Sequence, residues 1–168
     1  ANQKILKHPA QCKIDLAFHY TRKQNIELIK ANGLMTMQER NRNNVKSASF
    51  QGTMYNDGIY TGNNPFSFSS YGNTGIVLAR LCGERYDSIE RVHYKDQIDK
   101  DFKSVIIGNK HKPFDHKQLF DEVVLQFGSQ VVPLMTYSKS AVDPSVVSNQ
   151  KNVDILYKAC DVLLESIN

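Results

Sequence analysis

Long apolar runs are missing from this chain of 168 residues. No segment approaches the roughly 18 consecutive apolar residues that a membrane-spanning helix needs. Residues 1–13 are too polar to contain the apolar core of a signal peptide. We therefore expect an intracellular domain, cytoplasmic or nuclear, that does not associate with membranes. The alternative that the chain is a segment of a larger protein stays open.

Cysteine is also scarce. The three cysteines, Cys12, Cys82 and Cys160, are far apart, form no CxxC motif and have no histidine at ligand spacing. This pattern argues against a disulfide framework and against structural zinc, so we predict a protein that uses no metal. The net charge of +4 suits an anionic ligand, but 21 basic and 17 acidic residues spread along the chain are not a nucleic-acid footprint.

Common nucleotide-binding and hydrolase fingerprints are absent as well: the chain contains no GxGxxG, GxxxxGK[ST], GxSxG or HExxH. The composition, 40% hydrophobic and 23% charged, predicts one ordinary domain over 1–168 with a real core at about 13–138. Several short apolar segments separated by loops, together with two helices, predict the α+β class.

The predicted strands cover 13–18, 58–61, 76–81, 105–107, 123–127 and 131–137. A first helix follows Thr21, which has capping-box spacing to Gln24, and should end at Asn32-Gly33. Apolar residues at steps of three and four predict an amphipathic C-terminal helix within 145–168. We expect this helix to pack on the sheet; an exposed partner-binding helix is the alternative.

The polar stretch 36–57 predicts a long mobile loop. Its arginines, Arg40 and Arg42, are placed to meet a diphosphate if the loop lies over a cleft. A solvated surface loop is the alternative interpretation.

Three scattered residues lie at predicted strand ends: His19, Tyr60 and Glu122. A carboxylate at the start of an apolar strand suits chemistry, because the sheet holds its backbone while its side chain reaches a cleft. Each residue taken singly also has an ordinary structural explanation. His19 could be a satisfied strand-end histidine, Tyr60 a half-buried sheet tyrosine and Glu122 a solvated strand terminus.

Taken together, these residues belong to three sequence blocks that resemble the catalytic domain of the poly(ADP-ribose) polymerase family over about 15–137. AFHYT at 17–21 resembles the block built on His-Gly-Ser/Thr. NDGIYTGNNPFSFSSY at 56–71 resembles the Gly-Ile-Tyr-Phe-Ala block with its downstream Ser and Tyr. FDEVVLQFGSQVVPLMTY at 120–137 resembles the final strand that bears the family's glutamate, and the strand-like LARLCG lies between the last two blocks.

The resemblance implies a split, bent antiparallel sheet around an NAD cleft, with a C-terminal helix, and NAD-dependent ADP-ribosyltransferase activity. It implies a catalytic triad of His19, Tyr60 and Glu122. In that family His19 would bond the adenine-side ribose, and Glu122 the 2′-hydroxyl of the nicotinamide ribose. The full set of expected NAD contacts besides Glu122 is His19, Tyr20, Thr21, Tyr60, Ser67, Ser69, Tyr71 and Arg42, with Tyr60 and Tyr71 on either side of the nicotinamide.

The chain departs from the family pattern at three places. Tyr20 stands where the family has Gly, so its backbone can serve the nicotinamide amide only if its side chain turns away from the pocket. Thr61-Gly62 replace the usual Phe-Ala. The position of the nicotinamide-binding serine falls on Phe68, which leaves Ser67 and Ser69 as candidates.

We expect transfer of single ADP-ribose units rather than chain extension, from NAD as co-substrate, by a monomeric domain. A protein acceptor is favoured and a nucleic-acid acceptor stays open. The principal alternative is a catalytically inactive interaction module of the same fold. A 2′-phosphotransferase acting on RNA ranks last, because the arginines of that group are not seen.

Overall fold

The computed structural model describes residues 14–46, 57–81, 104–107, 122–142 and 150–167. Three parts of the sequence that carry predictions lie outside them: the polar loop predicted at 109–118, whose His111 and His116 are expected to face solvent; Asp121, the acidic neighbour of Glu122; and the cysteines Cys12 and Cys82. The same holds for 47–56 of the predicted basic loop and for 145–149 of the predicted C-terminal helix.

Within these ranges, six strands form one sheet in which all neighbouring pairs are antiparallel. The strands are β1 Ile14–Thr21, β2 Ile59–Gly62, β3 Thr74–Leu81, β4 Ser104–Ile107, β5 Glu122–Leu125 and β6 Val131–Ser138, arranged in the order β4-β5-β2-β1-β3-β6. The helices are α1 Ile26–Asn32, α2 Met37–Arg42, α3 Lys139–Val142 and α4 Gln150–Ile167. Each strand coincides with a predicted one, and the mixed content agrees with the α+β class.

The sheet is joined at its centre by a narrow connection. β1 pairs with β3 along its whole length, but it meets β2 only at Phe18, opposite Gly62. β5 pairs with β2 and β4, whereas β6 pairs with β3. The two strands of the 120–137 stretch therefore belong to different halves of the sheet and do not pair with each other.

The turn between β5 and β6 explains why the first of them is shorter than predicted. The Oε1 atom of Gln130 accepts the backbone N–H groups of Gln126 and Phe127, both at 3.0 Å. These two N–H groups are thereby bound locally, and the chain turns through a 3-10 segment, Gly128–Gln130. The predicted strand 123–127 accordingly ends at Leu125.

Both faces of the sheet are covered, since side chains alternate along each strand. One face packs against α1 and the segment after it, through Ala17, Ile26, Leu34, Ile59, Ile76, Leu78, Val123, Leu125 and Val131. The other face packs against α3 and α4, through Phe18, Val77, Val142, Leu156 and Cys160. The prediction that the C-terminal helix packs on the sheet is confirmed.

The capping box predicted at Thr21 is wrong. Thr21 is the last residue of β1, and its Oγ1 accepts from Asn25 Nδ2 at 3.1 Å. The box forms instead at Thr36, whose Oγ1 accepts from the Glu39 N–H at 3.1 Å while the Glu39 carboxylate accepts from the Thr36 N–H at 2.8 Å. The predicted end of the first helix is confirmed at Gly33, which has a φ of 74°.

The long loop predicted over 36–57 is wrong at its beginning, because residues 37–42 form the helix α2. Besides the capping box, the carboxylate of Asp57 accepts the N–H groups of Met37 and Gln38 at 2.6 and 2.8 Å. Two carboxylates thus satisfy the first N–H groups of a short helix, where negative charge is also favoured. None of the described helices has the length and apolar character needed to cross a membrane.

Candidate active site

A cleft opens where β1 and β2 separate. It has about 1170 Å³ of empty space, a figure that includes open solvent at its mouth. Its walls come from β1, α1, the segment after α1, β2, the 67–71 turn and the first residue of β5. The residues that line the cleft include His19, Tyr20, Thr21, Arg22, Asn25, Arg40, Tyr60, Gly62, Ser67, Phe68, Tyr71 and Glu122.

His19 lies inside β1, two residues before its end, because this strand extends beyond the predicted 13–18 to Thr21. Its Nδ1 donates to the backbone carbonyl of Tyr60 at 2.7 Å. A carbonyl only accepts, so the proton of the neutral ring is on Nδ1, and Nε2 is an acceptor. Burial lowers the pKa of His19, which opposes protonation. The ring therefore presents an acceptor nitrogen held by β2.

Glu122 and Tyr60 reach the cleft from the two strands on the other side of the gap. Glu122 is the first residue of β5, is buried, and lies opposite Gly62 of β2. Tyr60 is half-buried, two residues before Gly62. The cleft thus brings together all three residues predicted as catalytic.

Tyr20 directs its ring away from the His19 side of the sheet, as strand alternation requires. Its hydroxyl donates to the Pro65 carbonyl at 2.6 Å, and its ring meets that of Tyr137 edge to face, with centroids 5.7 Å apart. The side chain of Tyr20 therefore has its partners at Pro65 and Tyr137. Thr21, the next predicted contact, lines the cleft.

Of the two candidate serines, Ser67 lines the cleft and Ser69 does not. Ser67 is buried, and its Oγ accepts from the Asn64 N–H at 3.2 Å. Gly62 lies so close that a Cβ there would overlap the Cβ of Ser67. Glycine at position 62 therefore makes room for this serine.

Two aromatic side chains follow at the mouth of the cleft. Tyr71, a predicted contact, is 44% exposed and lies 6.4 Å from Phe68, measured between ring centroids. Phe68 has a φ of 59°, a left-handed conformation that is uncommon for a residue other than glycine. Such strained positions concentrate at functional sites.

Arg42, the arginine expected to contact NAD, does not line the cleft. Arg40, two residues earlier in α2, and Arg22 do. Burial lowers the pKa of Arg40, an effect that nearby Asp57 opposes; the guanidinium stays charged at neutral pH. Because the predicted loop is a helix, only one of its two arginines faces the cleft.

Sequence reasoning missed Asn25. This residue lines the cleft, and its buried Oδ1 has no hydrogen-bond partner among the described residues. The four-residue interval between Thr21 and Asn25 was the available signal, because it matches their side-chain hydrogen bond.

Sequence reasoning also missed the buried Arg80. It donates to Asp15 through Nε at 2.9 Å and Nη2 at 2.8 Å, to Thr61 through Nη1 at 2.8 Å, and to Asn63 through Nη2 at 2.8 Å. An arginine in the middle of the apolar strand IVLARL was the signal, since a buried charge needs a partner.

Within the described parts of the chain, no three His, Cys, Asp or Glu side chains are grouped so as to hold a metal ion. A scan against protein-family models and a search of curated proteins each find no match to this chain.

Proposed function

We propose that the protein is an NAD-dependent ADP-ribosyltransferase. The observation that carries this proposal is that His19, Tyr60 and Glu122, contributed by three different strands, line one cleft at the point where the sheet divides. The sequence blocks resemble one enzyme family, and the three residues to which that resemblance assigns a triad all line the cleft, which supports the proposal.

The proposal includes the type of fold, a split sheet like that of ADP-ribosyltransferases. The single paired position between β1 and β2 supports a split sheet of the ADP-ribosyltransferase type, with the cleft at the split. The C-terminal helix covers the face of the sheet opposite α1.

The polar groups of the cleft suit NAD, which carries ribose hydroxyls, a diphosphate and a positively charged nicotinamide ring. His19 Nε2 and Asn25 Oδ1 are acceptors for hydroxyl or amino groups. Arg22 and Arg40 offer positive charge to phosphates. Tyr71 offers an aromatic face, which attracts a cationic ring.

The proposed reaction breaks the bond between nicotinamide and ribose. Nicotinamide leaves with the electron pair of that bond, and positive charge develops on the ribose. The acceptor's nucleophilic atom then bonds to the same ribose carbon and loses its proton. The part of Glu122 is to stabilise the positive charge from a buried position, where a carboxylate acts more strongly than in water. It is also a candidate to orient the acceptor and take its proton.

The test compares Glu122→Gln with wild type in the release of nicotinamide and the transfer of adenine-labelled ADP-ribose. Removing one preorganised charge should lower the rate about 100-fold to 1,000-fold. Glu165→Gln, the same change at an exposed position of α4, is the matched control and should leave the rate unchanged.

The distribution of label decides the acceptor. Label on protein as single units supports the proposed mono-transfer, and label on added RNA or DNA would replace the protein acceptor. If wild type and Glu122→Gln release nicotinamide equally slowly and NAD does not raise the melting temperature of either, the enzyme proposal fails. The inactive interaction module then becomes the better interpretation.

A further inference from the structure

Two tyrosine hydroxyls converge on one backbone carbonyl beside the cleft. Tyr20 donates to the Pro65 carbonyl at 2.6 Å and Tyr137 donates to the same oxygen at 2.9 Å. Pro65 is fully buried. Burial, together with nearby Tyr20, raises the pKa of Tyr137 above the ordinary value, at which the hydroxyl is already protonated at neutral pH.

The two tyrosines meet because a glycine lies between them. Tyr20 of β1 and Tyr137 of β6 are both register partners of Gly75 on β3, so the three residues form one row across the sheet. A Cβ at Gly75 would overlap the ring of Tyr137. Without that side chain, the Tyr137 ring reaches across β3 to contact the ring of Tyr20.

The carbonyl that they hold belongs to the tight turn that presents Ser67. Within this turn, the Ser67 N–H donates to the Asn64 carbonyl at 2.9 Å, and the Asn64 N–H donates to the Ser67 Oγ at 3.2 Å. The turn is thus rigid in itself. Its location relative to the cleft depends on what anchors it from outside.

The turn is anchored from outside at Asn63, just before it, and at Pro65, within it. Arg80 binds the side chain of Asn63. The hydroxyls of Tyr20 and Tyr137 bind Pro65, two residues before Ser67. The tyrosine pair is therefore the anchor nearer to the serine that lines the cleft.

We propose that Tyr20 and Tyr137 are positioning residues that fix Ser67 in the cleft by anchoring the Pro65 carbonyl. The inference rests on the proposed function, because it assigns Ser67 to the carboxamide of NAD. Tyr20 stands where the resembled family has glycine. In this proposal its side chain, on the face of the sheet away from His19, anchors Pro65.

The test uses Tyr20→Phe, Tyr137→Phe and the double variant. These changes remove the hydroxyls and keep the rings, so packing against Gly75 is preserved. Tyr157→Phe on α4, where Tyr157 is 37% exposed, is the matched control. A binding contact made equally in ground and transition states changes KM and leaves kcat unchanged. We therefore expect the double variant to raise KM for NAD about tenfold with kcat within about twofold of wild type, because a buried acceptor loses its donors.

A second readout does not require activity. Hydrogen exchange of the backbone amides of 63–69 should become at least about tenfold faster in the double variant and stay unchanged in Tyr157→Phe, because local opening follows the loss of anchoring. Unchanged exchange and unchanged KM in the double variant would overturn the positioning role. If wild type shows no turnover of NAD, the proposed function fails. Faster exchange in the double variant would then still show that the tyrosines anchor the turn, but the assignment of Ser67 to NAD would be withdrawn.

Discussion

His19 has one proton arrangement imposed on it by a neighbouring strand. Because the Tyr60 carbonyl can only accept, the neutral ring carries its proton on Nδ1, and a second proton would have to be placed on Nε2 in a buried position. The hydrogen bond therefore sets the orientation of the ring as well as the nitrogen that is presented to the cleft.

This residue should make the protein sensitive to acid. The pKa of His19 is lowered in the folded state from its ordinary value of about 6.5. Below that pH the unfolded chain therefore binds a proton at this residue that the folded chain does not bind. The free energy of unfolding should consequently fall as the pH drops, by at most about 1.4 kcal/mol per pH unit from this residue. Urea unfolding at pH 7.5, 6 and 5 measures it.

His19→Asn supplies the control, since an amide N–H can still donate to the Tyr60 carbonyl but does not titrate. The other histidines contribute equally to both proteins. The variant should lose less stability on acidification than wild type, and parallel losses would contradict the assignment.

At the scale of elements, Arg80 connects three strands through one side chain. It belongs to β3, its carboxylate partner Asp15 belongs to β1, and Thr61 belongs to β2. Thr61 in turn donates to the Val123 carbonyl of β5 at 2.8 Å. This network crosses the narrow junction between the two halves of the sheet, where backbone pairing is limited to one position.

Replacing this arginine should be costly. Arg80→Lys keeps the charge but cannot reproduce a two-pronged contact with Asp15 together with bonds to Thr61 and Asn63. We expect the free energy of unfolding to fall by about 3 kcal/mol, because a buried charge loses partners. Urea unfolding at neutral pH measures the loss.

An exposed ion pair provides the comparison. On α1, Lys30 Nζ lies 2.8 Å from Glu27 Oε1, and the two side chains are 63% and 82% exposed. Lys30→Met should change the free energy of unfolding by only about 0.3 kcal/mol. Similar losses at positions 80 and 30 would show that the buried network does not join the sheet as described.

At the scale of the whole molecule, the sheet lies between two helical layers, and α4 supplies much of the layer opposite the cleft. Its buried residues, Leu156 and Cys160, pack with Phe18 and Val77. Burial raises the pKa of the Cys160 thiol to about 11, as expected for a core cysteine. Packing on this side supports β1, the strand that carries His19.

Adjacent residues of α4 separate packing from helix propensity. Leu156 is 6% exposed and Ile155 is 55% exposed. Leu156→Ala should lower the free energy of unfolding by about 2 to 5 kcal/mol through the lost burial and the cavity left behind. Ile155→Ala should change it by less than about 0.5 kcal/mol. Thermal and urea unfolding of both variants measures the difference, and equal losses would place the apolar face of α4 elsewhere.

The sequence by itself determined the six strands, the end of the first helix at Gly33 and the packing of the last helix. These features follow from local apolar patterns, which record which residues must be buried and where the chain must turn. Of the nine site residues that the family resemblance implied, seven line the cleft: His19, Tyr20, Thr21, Tyr60, Ser67, Tyr71 and Glu122.

Only the tertiary structure decided which strands pair, and therefore where the cleft lies. The strands at 122–125 and 131–138 are neighbours in the chain, yet they belong to opposite halves of the sheet, because β5 pairs with β2 and β6 pairs with β3. Between them the Gln130 side chain binds the N–H groups of Gln126 and Phe127. Whether Ser67 or Ser69, and Arg40 or Arg42, lines the cleft likewise depends on the packing of distant residues, as do the partners of Tyr20. Such contacts are set by the geometry of the assembled sheet, which no short sequence pattern contains.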